Sequence, residues 1–74
     1  MNSREFALKN DYIELNKLLK LLHIAQSGAH AKLIIEQGEV TLNNKLESRK
    51  RAKLRAGDIV RVGDNEVRIK KSES

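Results

Sequence analysis

The sequence contains no cysteine and no tryptophan, and these absences limit the chemistry that the chain can perform. Without cysteine the chain cannot form disulfide bridges, thiol nucleophiles or thiolate zinc sites. Aromatic residues make up 3% of the chain and are limited to Phe6 and Tyr12. Modules that bind splayed single-stranded bases usually stack them on aromatic rings, so this composition argues against such a surface.

Long apolar segments are missing as well. No apolar run approaches the roughly 20 residues that a membrane-spanning helix requires. Charged residues at Arg4, Glu5, Lys9 and Asp11 interrupt the N-terminal region, where a signal peptide would need an apolar core. We therefore expect a cytoplasmic protein without a membrane partner.

A length of 74 residues allows one domain with a small core. We expect a single domain over residues 1–74, with its core at about 13–62 and with frayed ends at 1–4 and 70–74. So small a domain has little room for a deep catalytic cleft. We expect a monomer that uses no cofactor and no small-molecule substrate.

The first half of the chain has the pattern of a helix with one apolar face. Leucines recur at the i, i+3, i+4 and i+7 spacing. They are Leu15, Leu18, Leu19 and Leu22. Asp11 and Glu14 have the spacing of an N-terminal capping box, so the pattern predicts a first helix over about 12–23.

A second helix follows after a short connection. Ser27 is a favourable N-cap residue, and Gly38 is placed where a left-handed residue would end the helix. We expect Leu19 of the first helix and Leu33 of the second to be buried, so that truncation of either side chain destabilises the domain. The two helices predict a helical hairpin with a shared apolar side.

After Gly38 the hydrophobic period changes to two, which is typical of half-buried strands. The alternating residues are Val40 and Leu42, then Val60 and Val62, then Val67 and Ile69. Turns are predicted at 43–44, 56–58 and 63–65, and residues 5–8 form a possible short strand. The sequence predicts an α+β fold, in which a helical hairpin packs on a small, mainly antiparallel sheet of short strands.

Positive charge is concentrated in one segment of the chain. Residues 49–55 hold five cations and no acid, whereas the rest of the chain holds ten cations and ten acids. Like charges held close together repel, and a partner with closely spaced phosphates would turn this repulsion into attraction. The alternative is a solvated loop that keeps the protein soluble. Because strand patterns flank the segment, we favour nucleic-acid binding.

The scarcity of aromatic residues indicates how a nucleic acid would be bound. We expect contacts to phosphates and to the shape of a structured or double-stranded element, with modest sequence readout. The start of the second helix at Ser27 offers amide groups to an anion, with Lys32 one turn further on. A helix start alone is a weak indication, since every helix has one.

The chain carries a helix-pair motif and a terminal Gly-Asp turn, spread over residues 15–19, 25–34, 37–45 and 54–60. These stretches resemble the S-four RNA-binding domain, named after a small-subunit ribosomal protein. The resemblance covers about residues 13–62 and is strongest to small, stand-alone bacterial members. It implies structured RNA, such as ribosomal or transfer RNA, as the partner.

The resemblance also implies individual contact residues. Lys17, Lys32 and Arg49 match basic positions of the family, whereas Gln26 and Gly28 stand where many relatives have arginine. Asn44 replaces the usual turn glycine and Lys50 a common proline. The candidate RNA-binding residues are Lys17, Lys20, Ser27, His30, Lys32, Lys45, Arg49, Lys50, Arg51, Lys53 and Arg55.

The sequence offers no arrangement typical of an enzyme. His23 and His30 are the only imidazoles, and they lie on either side of the predicted helix break. Asp58 and Asp64 lie in predicted turns, where aspartate commonly bonds to its own backbone. We expect no catalysis and no metal site.

Two alternatives remain open. The chain could be an adaptor that docks on an acidic protein, or it could bind duplex DNA. The second helix offers His30, Lys32 and Gln37 to a major groove, which admits a helix. A weak dependence of binding on salt would favour the protein partner, and competition between folded RNA and duplex DNA would separate the nucleic acids.

Overall fold

A computed structural model describes residues 2–72 as two helices and seven strands. In chain order they are β1 (Asn2–Leu8), β2 (Ile13–Glu14), α1 (Leu15–Leu21), α2 (Gly28–Glu36), β3 (Val40–Leu42), β4 (Lys45–Leu46), β5 (Lys53–Leu54), β6 (Ile59–Val62) and β7 (Asn65–Lys71). No helix within these residues is long and apolar enough to cross a membrane.

Five strands form one sheet in the order β1-β7-β6-β3-β4, and β2 pairs with β5 in a separate two-stranded ribbon. All pairings are antiparallel except β1 with β7, which run parallel from Asn2 opposite Asn65 to Leu8 opposite Lys71. The predicted α+β class, with two helices and a mainly antiparallel sheet, is confirmed.

The strand pairing corrects the prediction of frayed ends. Residues 2–4 and 70–71 are strand residues, and the backbone amide of Ser72 still donates to the carbonyl of Leu8. The remaining positions of that prediction, 1 and 73–74, lie outside the described residues. Burial of Leu8, Val67 and Ile69 also extends the core beyond the predicted range of 13–62.

The core lies between the helical pair and one face of the sheet. The α1 residues Leu15, Leu18 and Leu19 are fully buried, and they meet Val40, Val60 and Val67 of the sheet within one cluster. The second helix contributes Ala31, Ile34 and Ile35. Leu33, predicted to be buried, is instead 55% exposed, because it lies outside the face of α2 that these three residues define.

The start of α1 differs from the predicted capping box. Glu14 is the N-cap residue, and no side chain caps the helix. The first amides of α1 are satisfied from a distant part of the chain, since Leu15 N donates to Ala52 O and Asn16 N to Lys50 O, each at 2.9 Å. The helix therefore begins later than predicted and is tied to the cationic segment.

The ends of α2 are as predicted. The hydroxyl oxygen of Ser27 accepts a hydrogen bond from the backbone amide of His30 at 3.1 Å, and this satisfies one free amide of the first turn. Gly38 has a φ of 76°, which is the left-handed conformation that glycine adopts at low cost after a helix.

The hairpin turn between β3 and β4 gives a first testable prediction. Asn43 and Asn44 have φ values of 52° and 70°, as a type I′ turn requires. We expect Asn44→Gly to raise the free energy of unfolding by about 0.5 kcal/mol, because glycine adopts positive φ more readily. Urea denaturation measures the change.

Asn43→Gly is the matched control for this turn. The Asn43 side chain donates to Asp58 Oδ1 at 3.1 Å and accepts from Ile59 N at 2.9 Å. Its replacement removes both bonds, so we expect a loss of about 1 kcal/mol. Equal effects of the two substitutions on the free energy of unfolding would contradict the different roles given to Asn43 and Asn44.

Candidate nucleic-acid interface

The cationic segment, residues 49–55, is held by its backbone at several points. Besides the two bonds to the start of α1, Lys53 and Leu54 pair with β2, and the Arg55 amide donates to Asp58 Oδ2 at 2.8 Å. Ala52 and Leu54 are buried between exposed basic residues. The charges of the segment are therefore carried on a backbone that is anchored to the core.

Three cations of the sheet lie beside carboxylates, whereas most cations of this segment do not. On the sheet, Glu66 lies 3.1 Å from Arg61 and 3.6 Å from Arg68, and Glu5 lies 3.6 Å from Lys70. Within residues 2–72, by contrast, four cations of the segment form no ion pair with a carboxylate. They are Lys50, Arg51, Lys53 and Arg55. The segment therefore holds four cations without an ion-paired carboxylate within the six consecutive residues 50–55.

Arg49 is the exception in the segment, because it is committed to Glu47. Arg49 Nε donates to Glu47 Oε2 at 3.1 Å, and its Nη2 donates to Glu47 Oε1 at 3.3 Å. The Arg49 amide also donates to Glu47 Oε2. These bonds lower the pKa of the nearly buried Glu47 despite the opposing effect of burial, and the pair raises the pKa of Arg49. Arg49 therefore contributes less free charge than its neighbours.

The short ribbon of β2 and β5 brings an aromatic ring to the cationic segment. Lys53 Nζ lies 4.9 Å from the centroid of the Tyr12 ring, and Arg55 Cζ lies 6.0 Å from it. Tyr12 is 39% exposed. This neighbour was missed in the sequence analysis, because two-residue strands have no hydrophobic period from which their pairing could be predicted.

The helices carry further predicted lysines, and one of them lies beside the segment. Lys32 of α2 and Lys50 line a depression of about 220 Å³ together with Ser48 and Glu36. Lys17 and Lys20 of α1 line an open groove. Lys17 also lies 3.9 Å from Glu14. Of the predicted helix residues, Lys32 is therefore the one that shares a depression with the segment.

Three predicted residues have other positions or partners. The His30 ring accepts a hydrogen bond at Nδ1 from the Gln26 amide at 3.0 Å, so Ser27 and His30 both stabilise the start of α2. Lys45 lies on β4, at the edge of the sheet. Among the described residues, no group of three His, Asp or Glu side chains is placed to hold a metal ion.

The fold agrees with the comparison to known families. The S4 domain matches residues 6–70, which is most of the chain. The protein belongs to the S4 domain family. The predicted resemblance to the S-four domain is confirmed, and it extends further in both directions than the 13–62 expected.

Two curated relatives are similar over most of their length. The "Putative RNA-binding protein YbcJ" of Escherichia coli (strain K12) is 39% identical over 61 residues, which cover 82% of this chain and 87% of the relative. The "Probable ribosome maturation protein RlbA" of Bacillus subtilis (strain 168) is 34% identical over 56 residues, 76% of this chain and 79% of the relative.

A solved structure shares the fold. The solution structure of YbcJ from E. coli is described as revealing an "alfaL motif involved in RNA-binding". It matches with a TM-score of 0.67 and 36% sequence identity, and the match covers 95% of this chain and 87% of that one.

Proposed function

We propose that this protein is a non-catalytic module of the cytoplasm that binds the backbone of structured RNA, such as ribosomal or transfer RNA. The observation that carries the proposal is the anchored cationic segment, in which Lys50, Arg51, Lys53 and Arg55 form no ion pair with any carboxylate of residues 2–72. Phosphates would supply the missing negative charge and release their counterions on binding.

The geometry supports contact by two parts of the fold. The depression shared by Lys32 and Lys50 joins α2 to the cationic segment, so one stretch of backbone could meet both. Phosphate contacts of this kind fix the position of an RNA and carry little sequence information. We propose that the protein acts as a monomer, so that one copy of the chain forms the whole surface.

The names of the relatives support the same partner. YbcJ carries the name "Putative RNA-binding protein" and RlbA the name "Probable ribosome maturation protein", and both align with most of this chain. From these names we propose that this protein also binds RNA and that it acts during ribosome assembly. Lys17, Lys20, Lys45 and Arg49 are proposed as secondary contacts.

The test is a charge reversal at two exposed residues whose side chains form no ion pair within residues 2–72. We expect the double variant Lys50→Glu/Arg51→Glu to bind folded ribosomal and transfer RNA transcripts about tenfold more weakly near physiological salt. The slope of log affinity against log salt should fall by about one to two, because phosphate contacts are lost. Fluorescence anisotropy titrations measure both quantities.

Lys9→Glu/Lys71→Glu is the matched control, with the same change in net charge at exposed positions outside the segment. It should bind RNA nearly as well as the wild type. If both double variants lose affinity equally, net charge rather than this surface governs binding. If the wild type shows no salt-dependent binding to either RNA, the proposal fails.

Competition experiments address the two alternatives. Duplex DNA and an acidic polypeptide, polyglutamate, are each added to the protein–RNA complex. We expect folded RNA to compete at the lowest concentration. Equal competition by duplex DNA would contradict a preference for RNA, and stronger competition by polyglutamate would favour the protein adaptor.

A further inference from the structure

Tyr12 is a large hydrophobic residue that the core does not use. The partly buried hydrophobic residues that pack against the core within residues 2–72 are Phe6, Ile13, Leu22, Ile24 and Leu42. Tyr12 is not one of them. Its neighbour Ile13 lies opposite the fully buried Leu54 and supplies the apolar contact of the ribbon, so the tyrosine ring remains at the surface.

The surroundings of the ring are cationic. Lys53 and Arg55 are alternate residues of the chain, and both place their charged groups over the ring. A cation on an exposed ring is held weakly. A flat, electron-rich partner can therefore replace the ammonium of Lys53 on the ring, which leaves that ammonium free to bind an anion next to it.

A nucleotide combines these two features, since it joins a flat base to a phosphate. We infer that Tyr12 stacks an unpaired base of the bound RNA, while Lys53 and Arg55 contact the adjoining phosphates. This inference rests on the proposed function and narrows the partner to a structured RNA with an unpaired nucleotide, such as a bulge. A base inside a regular helix is stacked between its neighbours and cannot reach the ring.

The test compares two RNA hairpins with the same stem. One carries a single bulged 2-aminopurine nucleotide, whose fluorescence falls when it stacks, and the other lacks the bulge. We expect the wild type to bind the bulged hairpin about tenfold more tightly and to quench its fluorescence. Tyr12→Leu should remove both the preference and the quenching while binding the fully paired hairpin as before.

Two further variants separate stacking from packing. Tyr12→Phe keeps a flat ring and should keep the preference and the quenching. Leu46→Ala truncates another exposed hydrophobic residue, on β4, and should change neither. Thermal unfolding of each variant shows whether a lost preference reflects a lost fold, and we expect all three to remain folded at the binding temperature.

The outcomes distinguish this inference from the proposed function. If the wild type binds both hairpins equally, or if Tyr12→Leu keeps the preference, the stacking role is wrong and RNA binding stands. If the wild type binds neither hairpin at low salt, both the inference and the proposed function fail.

Discussion

Leu19→Ala is expected to lower the free energy of unfolding by about 2–5 kcal/mol. Leu19 is fully buried on α1, and it lies in the same cluster as Val40, Val60 and Val67 of the sheet. Truncation removes apolar contacts and leaves a cavity that the neighbouring helix and sheet close only in part. Because a domain of 74 residues has a thin margin of stability, the variant should be partly or fully unfolded at 37 °C. Urea denaturation followed by circular dichroism measures the loss.

Leu33→Ala is the matched control, since it is the same substitution in the other helix. Leu33 is 55% exposed, so its truncation should cost less than about 1 kcal/mol. A similar loss of unfolding free energy at both positions would contradict the exposure of Leu33. It would support the prediction from the sequence that Leu33 is buried.

The second large effect is expected at the Glu47 carboxylate. Arg49→Met removes the guanidinium that donates to both oxygens of Glu47, and it keeps an unbranched apolar side chain at the position. A nearly buried carboxylate then loses its charged partner, so we expect the free energy of unfolding at pH 7 to fall clearly below that of the wild type. Chemical denaturation at pH 7 measures it.

The pH dependence gives this prediction a distinctive form. The hydrogen bonds from Arg49 hold the pKa of Glu47 below its usual value in the folded protein. The pair therefore stabilises the fold above the pKa of the unfolded state, and this contribution is lost as pH falls through the lowered pKa. The difference between the wild type and Arg49→Met should shrink between pH 7 and a pH below the ordinary glutamate pKa of about 4.3.

Arg51→Met is the control for Arg49→Met. Arg51 is exposed and forms no ion pair within residues 2–72, so its replacement should change stability by no more than about 0.5 kcal/mol at either pH. If Arg49→Met shows the same small effect as Arg51→Met, the pair with Glu47 contributes nothing measurable to stability.

The sequence predicted those parts of the fold that local chemistry determines. Ser27 and Gly38 mark the ends of α2, and the two asparagines mark a turn with positive φ, because each needs only its immediate neighbours to act. The strands β3, β6 and β7 were predicted from alternation, which reports burial on one face of a sheet. These local patterns were enough to predict the fold class.

The features that escaped the sequence depend on residues far apart in the chain. The capping box at Glu14 was wrong because carbonyls of Lys50 and Ala52 take the first amides of α1. Fraying of residues 2–4 was wrong because a strand some 60 positions away pairs with them. Neither partner can be inferred from the local sequence, since the pairing depends on how the whole chain packs.

The candidate site divides in the same way. A run of cations can be counted in the sequence, so the segment at 49–55 was predicted. The different partners of its cations were not predicted. Arg49 forms an ion pair with Glu47, and Lys53 lies beside Tyr12 because β2 pairs with β5. The number of charges can be counted in the sequence, whereas the ion pairs that those charges form are seen only in the three-dimensional structure.

The parallel pairing of β1 with β7 has a consequence for engineering. In a parallel pair the first residue of one strand lies beside the first residue of the other, so Asn2 and Lys71 lie at opposite ends of the pair. Six residue steps along a strand separate those ends by roughly 20 Å. A circular permutant would need a connecting linker of at least about six residues, and domains fused at the two positions would leave the sheet from opposite ends.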